Sequence, residues 1–412
     1  MKTKKQRTNP TGRKMAVLRQ VVNLIPQHLI PKLARETGVA DQARDFDANS
    51  HVIALMEAQL THSIGLNDVC DGLQLHAAEL ATIRGAKPPH RNTFSHANRT
   101  RNPEMAEKLF WATLDQLETI RPGFTHGRRA HGLMRRLRRN IHAVDSTVLE
   151  LVANCMDWAQ HRRRKAAAKC HLRLDLQSFL PSYAIVDTAR EADAKRAREL
   201  CAGLKSGEIS IFDKAYVDFG HLGELDRRGV IWVTRAKDNM VYEVACQLPL
   251  QASAKIVKDE LIWRPHCREG ELEVLRRIEA WVEIDGEERL LVFLTNQLTW
   301  SARTIAQLYR CRWRIEVFFK QIKQSLQLCD FLGHNANAVR WQVWTALLVY
   351  VLLRFQAWLS QWPHSFTRLF TLVRASLWLR VDLLALLKSY GTARGCFRML
   401  AAPDQAYLPG LG

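Results

Sequence analysis

Acidic residues are the scarcer charge in this sequence: 41 Asp+Glu face 60 Lys+Arg over 412 residues, a formal charge of +19. With a sequence pI near 9.8, that imbalance points to a polyanionic partner, nucleic acid ahead of an anionic membrane. Paired cysteines are also missing. Nine cysteines, an odd number without one C-x-x-C pair, exclude a disulfide framework or a zinc ribbon and read as reduced, intracellular thiols. Long apolar runs are lacking too. The most apolar stretch, Trp341 to Leu353, is bounded by Arg340 and Arg354 and falls short of the roughly 20 residues a membrane helix needs, so a buried helix is expected there. The basic start, Met1 to Met15, is followed by Arg19, Gln20 and Asn23, where an export signal needs an unbroken apolar core. Neither an internal repeat nor a low-complexity tract is present.

What remains is a folding chain of more than one domain. Its 47% hydrophobic and 25% charged residues are those of an average globular protein, and its length exceeds one ordinary core. Residues 1–120 show apolar positions at helical spacing, broken by Pro26, Pro31, Gly38, Gly65 and Gly72, and read as a helical, basic DNA-binding region. After Pro88-Pro89, the segment His90 to Arg101 predicts a helix capped by Asn92 or Thr93. A helix, a turn and a basic helix resemble a helix-turn-helix, which would bring Arg91, Arg99 and Arg101 near DNA. Residues 121–140 hold seven arginines and no acidic residue, an Arg-rich linker suited to phosphate contact.

From Ile141 the pattern changes to short β-branched runs alternating with helical stretches. Strands are expected over Ile141 to Val144, His171 to Leu176, Tyr183 to Thr188, Ile209 to Phe212 and Val230 to Thr234. Helices are expected over Asp193 to Leu204 and Phe219 to Arg228. This order predicts an α/β core with a mixed sheet over residues 141–335. Strand-like runs between about 240 and 300 predict a β-rich insertion, and residues 336–412 read as a helical C-terminal region.

The chemistry concentrates in Tyr309, Arg312, Glu316 and Lys323. On one continuous helix beginning near Ser301 they fall within about 60° of arc, beside an apolar seam of Leu308, Ile315, Phe319, Ile322 and Leu326. Asp145 and Asp213 follow β-type runs and read as strand-end carboxylates. With Glu316 they form an oxygen-ligand set for Mg2+ or Mn2+, and a two-ion phosphodiester reaction needs such a set. His171 beside Cys170 and His266 beside Cys267 lack a second pair at ligand spacing and read as packing residues. Asp187 could assist the carboxylates from its strand, and Asp193 reads as an N-cap.

These residues resemble the DDE transposases of insertion-sequence family four, whose Y-x2-R-x3-E-x6-K signature Tyr309, Arg312, Glu316 and Lys323 match without a gap. Asp145-Ser146-Thr147 with Trp158-Ala159 and Lys165 to His171 resemble the family's first-aspartate block. Asp213 with Tyr216 resembles its second, although Ala215 stands where a glycine is usual. Arg235, Lys237 and Asn239 resemble the basic strand end that follows. The resemblance implies an RNase H-like core in which Asp145, Asp213 and Glu316 bind two divalent ions, Mg2+ or Mn2+. It further implies cut-and-paste transposition of double-stranded DNA, with terminal inverted repeats and a target as partners and a homodimer on DNA. Tyr309 and Arg312 would hold the terminal phosphate; Lys323, Arg235, Lys237 and Tyr216 would contact DNA. Trp263 or Trp281 of the insertion would stack on a flipped base. A cytoplasmic, nucleoid-associated protein of bacterial type is expected, without a membrane. The competing readings are a DNA-binding relic without chemistry and an RNase H-like nuclease or resolvase.

Overall fold

The computed structural model describes residues 15–40, 45–126, 133–151, 160–162, 165–188, 193–250, 255–265, 267–284, 287–326, 328 and 330–390. The chain divides into two compact units, one combining Met1–Ile120 with Gln324–Gly412 and the other Arg121–Lys323. Described helices from before residue 120 and after residue 330 therefore belong to one unit.

That first unit is helical. Its helices are Val17–Val22, Leu29–Glu36, Ala48–Thr61, Leu66–Leu75, Ala77–Ala81, Arg91–Thr100, Glu104–Ile120, Ala336–Ser360, Phe366–Ser376 and Leu383–Ser389. Helix Ala336–Ser360 forms the centre, packing against Glu104–Ile120, Ala48–Thr61 and Arg91–Thr100. Asn335 starts it by accepting from the Ala338 N–H, a side-chain cap that satisfies one of the free N–H groups of the first turn. It is long and apolar enough to cross a membrane, but 78% of its most apolar window is buried inside the protein. It is a core helix, as expected, though 25 residues long.

The helix after Pro88-Pro89 spans Arg91–Thr100, with His90 at its N-cap and no side-chain cap bond. The expected cap at Asn92 or Thr93 is corrected, because both already lie inside the helix. Arg101 is corrected as well: it is 3% exposed, donates to the carbonyls of Phe46 and Asp47 and covers the Phe46 ring. A guanidinium committed to two buried carbonyls is an anchor of the fold, and it is not a DNA contact.

The second unit is built on one ten-stranded sheet. Its strands are β1 Ile141–Leu151, β2 Gln160–Arg162, β3 Lys165–Asp175, β4 Leu180–Thr188, β5 Ile209–Phe212, β6 Ile231–Arg235, β7 Glu243–Gln247, β8 Ile256–Trp263, β9 Val274–Ile284 and β10 Glu287–Thr295. The order is β2-β3-β1-β5-β6-β10-β9-β8-β7, with β4 also on β3. β1, β3 and β4 pair antiparallel, while β1, β5 and β6 run parallel. The sheet is mixed, as the sequence predicted. The β-rich stretch after residue 240 extends the same sheet, with β10 paired to β6. Helices Asp193–Cys201 and Phe219–Arg227 cover one face around Val144, Phe212, Tyr216 and Trp232.

β1 and β3 are much longer than expected. The Ala- and Lys-rich start of β3 has low strand propensity, yet a ten-residue antiparallel ladder with β1 overrides it. Asp145 consequently lies inside β1, not at its end, and that placement is corrected. Of the Arg-rich linker, residues 127–132 lie outside the described residues. Its described part includes a short helix, Leu133–Leu137, and the exposed Arg136 and Arg139 bond Thr304 and the Gly207 carbonyl.

Candidate active site

Register brings the two aspartates together. In the parallel pair β1–β5 the last partners are Val144 and Phe212, so Asp145 and Asp213 are the next residues of neighbouring chains, whose strands lie about 4.8 Å apart. Asp213 is extended and precedes the short 3-10 helix Lys214–Tyr216. Ala215 has no positive φ, so alanine replaces the usual glycine here without backbone strain.

Glu316 comes from the helical segment, which is not one helix. Helix Ala302–Arg310, capped by Ser301, ends at Cys311, and helix Trp313–Ser325 begins a new segment. Between them the Arg312 N–H reaches the Tyr309 carbonyl and the Ile315 N–H reaches the Arg312 carbonyl, three-residue steps that tighten the chain. The expectation of a continuous helix is corrected at this point. The apolar seam of Leu308, Ile315, Phe319, Ile322 and Leu326 is nonetheless buried throughout.

The break leaves Arg312 at the centre of the site. Its Nη1 donates to Asp145 Oδ2 at 2.9 Å and its Nη2 to Glu316 Oε1 at 2.5 Å. Tyr309 Oη donates to Asp213 Oδ1 at 3.5 Å, and the Arg312 guanidinium lies 5.7 Å from the Tyr309 ring centroid. Three carboxylates thus share one guanidinium and one phenol. Burial pushes the Asp145 carboxyl up to about 6, against Arg312 and the Ser146 N–H, and the Asp213 and Glu316 charges add to the rise. Burial also pushes the Tyr309 phenol up to about 12. For Arg312, burial opposes the charge, but Tyr309, Asp145, Glu316 and Asp213 outweigh it and hold the pKa above its ordinary value.

Among the described residues, no three His, Cys, Asp or Glu side chains sit close enough together to hold a metal ion as placed. The donor set nonetheless fits hard divalent cations: three part-buried carboxylates outnumber the single positive charge that bridges two of them. Asp145, Asp213 and Glu316 would be the residues to hold such a cation, with Arg312 as the positive charge already beside two of them.

The other sequence-derived candidates divide. Lys323 Nζ donates to the Val148 carbonyl of β1 at 2.7 Å, so its ammonium lies beside the strand that bears Asp145. Arg235 closes β6 and acts electrostatically on Tyr309. Lys237 is exposed and donates to the Val217 carbonyl. Tyr216 is corrected as a DNA contact: it is 1% exposed and its hydroxyl bonds His171 Nδ1 at 3.2 Å. His171 packs in the core as expected, and His266 lies outside the described residues. Asp187 is committed to Arg196, and the side chain of Asp193 is outside the described set.

Trp263 and Trp281 are both about two-fifths exposed, but they differ in surroundings. Trp281 lines a cavity of about 400 Å³ with Lys255, Arg303, Gln307 and Arg310. A neighbouring cavity of about 250 Å³ is lined by Val282, Glu283, Leu291, Tyr309, Arg310, Arg312 and Trp313. The two share Val282, Glu283 and Arg310, so Trp281 belongs to a groove leading to Tyr309 and Arg312, whereas Trp263 lines neither part. Sequence reasoning missed Arg303 and Arg310. Their seven-residue spacing, one helical face with Gln307 between, was the available signal.

Residues 136–352 match the transposase DDE domain family, and residues 13–84 match a domain of unknown function (DUF4372). The chain is 32% identical over 271 residues to a Sinorhizobium fredii protein described as a transposase, y4zB, covering 64% of this chain and 74% of that one. It is 26% identical to the transposase described for insertion sequence element IS5377 of Geobacillus stearothermophilus, over 53% of this chain and 57% of that one. The InsG transposase of element IS4 from Escherichia coli is 23% identical over 45% of this chain and 42% of its own length. Among solved structures, the piggyBac transposase synaptic complex with hairpin DNA covers 89% of this chain and 81% of its own, with 10% identity and a TM-score of 0.47.

Proposed function

Because the chain belongs to the transposase DDE domain family, which matches more than half of it, we propose that it performs cut-and-paste DNA transposition, cleaving phosphodiesters at element ends and joining the freed ends to a target. One observation carries this reading: Asp145, Asp213 and Glu316, from three elements far apart in sequence, converge on Arg312 beside Tyr309. The antiparallel β4-β3-β1 set joined to parallel β5 and β6 supports an RNase H-like core.

Asp145, Asp213 and Glu316 would hold two ions, Mg2+ or Mn2+. When bound, such ions supply Lewis acidity at the scissile phosphate and offset charge on the leaving oxygen. Arg312 and the Tyr309 hydroxyl hold the terminal phosphate, a role for which a planar guanidinium with several donors is suited. Lys323, Arg235 and Lys237 attract the adjoining backbone. Trp281, at the far end of the groove, offers a ring face to an unstacked base. The partners are duplex DNA carrying terminal repeats and a target, met by a homodimer in the bacterial cytoplasm and nucleoid.

The test is a plasmid bearing the gene's own flanking DNA, incubated with purified protein and Mg2+. Double-strand breaks at the flanks and joined products are expected, and both vanish with Glu316→Gln or EDTA. Cleavage without any joining would instead assign a nuclease. DNA that is retarded but uncut, alike for wild type and Glu316→Gln, overturns the enzyme.

A further inference from the structure

Phosphate and metal contacts at the carboxylate site carry no sequence information, so a protein that acts at defined ends needs base-reading groups elsewhere. We infer that helix Arg91–Thr100 reads base edges in the major groove of duplex DNA; this rests on the DNA-acting function proposed above.

The helix is divided cleanly. With Arg91 at zero and about 100° per residue, Ser95, Arg99, Asn92 and His96 fall near 40°, 80°, 100° and 140°. Those five are exposed, as is Thr93, while Phe94, Ala97 and Asn98 on the opposite arc are buried. The buried arc is rigidly held. Phe94 packs edge-on to Phe46 at 5.9 Å, Asn98 Oδ1 pairs with His51 Nε2 at 2.9 Å, and the adjoining Arg101 clamps the helix end to Phe46 and Asp47.

The exposed arc is what folding alone does not explain. It holds no acidic residue, whereas the neighbouring helices carry Asp68, Asp71, Glu79, Glu104 and Glu107. Asn, Thr, Ser and His are poor helix formers, and at solvent-facing positions they only weaken a helix. As readers of DNA the same side chains are apt: Arg takes guanine O6 and N7, Asn takes adenine N6 and N7, and Ser, Thr and His complete hydrogen bonds. The helix is about 15 Å long, and the major groove is about 12 Å wide. At its flank a recess of about 660 Å³ is lined by Thr93, His96 and Thr100 together with Lys87, His90 and Asp45. Lys87 and His90 precede the helix and are exposed, placed to meet the phosphates bordering the groove.

The experiment is selection by the full chain, in EDTA, from duplexes carrying 16 random base pairs. Wild type is expected to enrich one motif. Asn92→Ala should relax one position of it, and Arg99→Lys, which keeps the charge and loses the fork, should lose roughly ten- to a hundredfold preference at another. Both variants should melt as wild type does and bind an unselected duplex within about twofold. Variants that enrich the wild-type motif with undiminished strictness overturn the assignment, and so does a wild type that enriches nothing. Failure of the catalytic reading is separate: plasmid DNA then stays uncut in Mg2+ while the motif is still selected.

Discussion

Glu57 is 3% exposed, with its Oε2 lacking a hydrogen-bond partner among the described residues. Burial pushes this carboxyl up to about 8, so it stays protonated in the folded chain where the unfolded chain ionises above its ordinary 4.5. Stability from this group is present below that ordinary value and is lost as pH rises through about 8. His51, pushed down to about 3 by burial, has the opposite effect, and stability is lost as pH falls from 6.5 through 3. The two offset each other between 4.5 and 6.5, and above that Glu57 acts alone. Urea denaturation at pH 6.5 and pH 8 should therefore show wild type losing roughly 2 kcal/mol more than Glu57→Gln over that interval. Equal losses in the two proteins would mean that Glu57 is ionised in the native state. Neither group was singled out in the sequence, because a residue's type does not encode its burial. Tyr216 and Arg101 show the same gap from the other side: the first was placed on DNA by the family resemblance and the second by its basic neighbours in sequence, and each is enclosed by residues distant in sequence. Tyr309, Arg312 and Glu316 were picked out by the family signature they match, which encodes neither the break between their two helices nor the register that sets Asp145 beside Asp213.

At the scale of elements, the short strands β5 and β6 were read nearly to the residue, since β-branched runs bounded by turns mark them. The length of β1 and β3 and the existence of β7 were not, because pairing partners rather than local propensity decide them. The break at Cys311 was hidden too, because an apolar seam at helical spacing continues across it. Close approach of elements is legible only in part. Gly223 sits within helix Phe219–Arg227, and a Cβ there would lie 2.2 Å from the Gly270 carbonyl oxygen in the turn before β9. Backbone on the receiving side cannot swing away as a side chain can. Gly223→Ala should lower stability by about 1–3 kcal/mol despite alanine's better helix propensity, seen as a lower melting temperature. A variant as stable as wild type would show that the turn yields freely.

For the whole molecule, the net charge of +19 contrasts with the cluster of Asp145, Asp213 and Glu316, which on the proposed reading would need cations before a phosphodiester could approach. The sign of the long-range field and the sign of that cluster are opposed, so the proposed attraction to DNA would come from the surface at large, including the exposed Arg91, Arg99, Arg136 and Arg139. Binding of that kind releases condensed counterions, and its logarithm falls with the logarithm of salt by about 0.9 for each phosphate neutralised. With six to ten such contacts, affinity for an unselected duplex should drop roughly 10³- to 10⁵-fold between 50 and 200 mM salt, measured without divalent ions by fluorescence anisotropy. Asp145→Asn should leave that slope unchanged, because a metal-free carboxylate contributes no released counterion. Removing one exposed arginine proposed to meet a phosphate, Arg136→Ala, should make it shallower by about one unit. A slope near zero for wild type would mean that the charge excess serves something other than a nucleic-acid backbone.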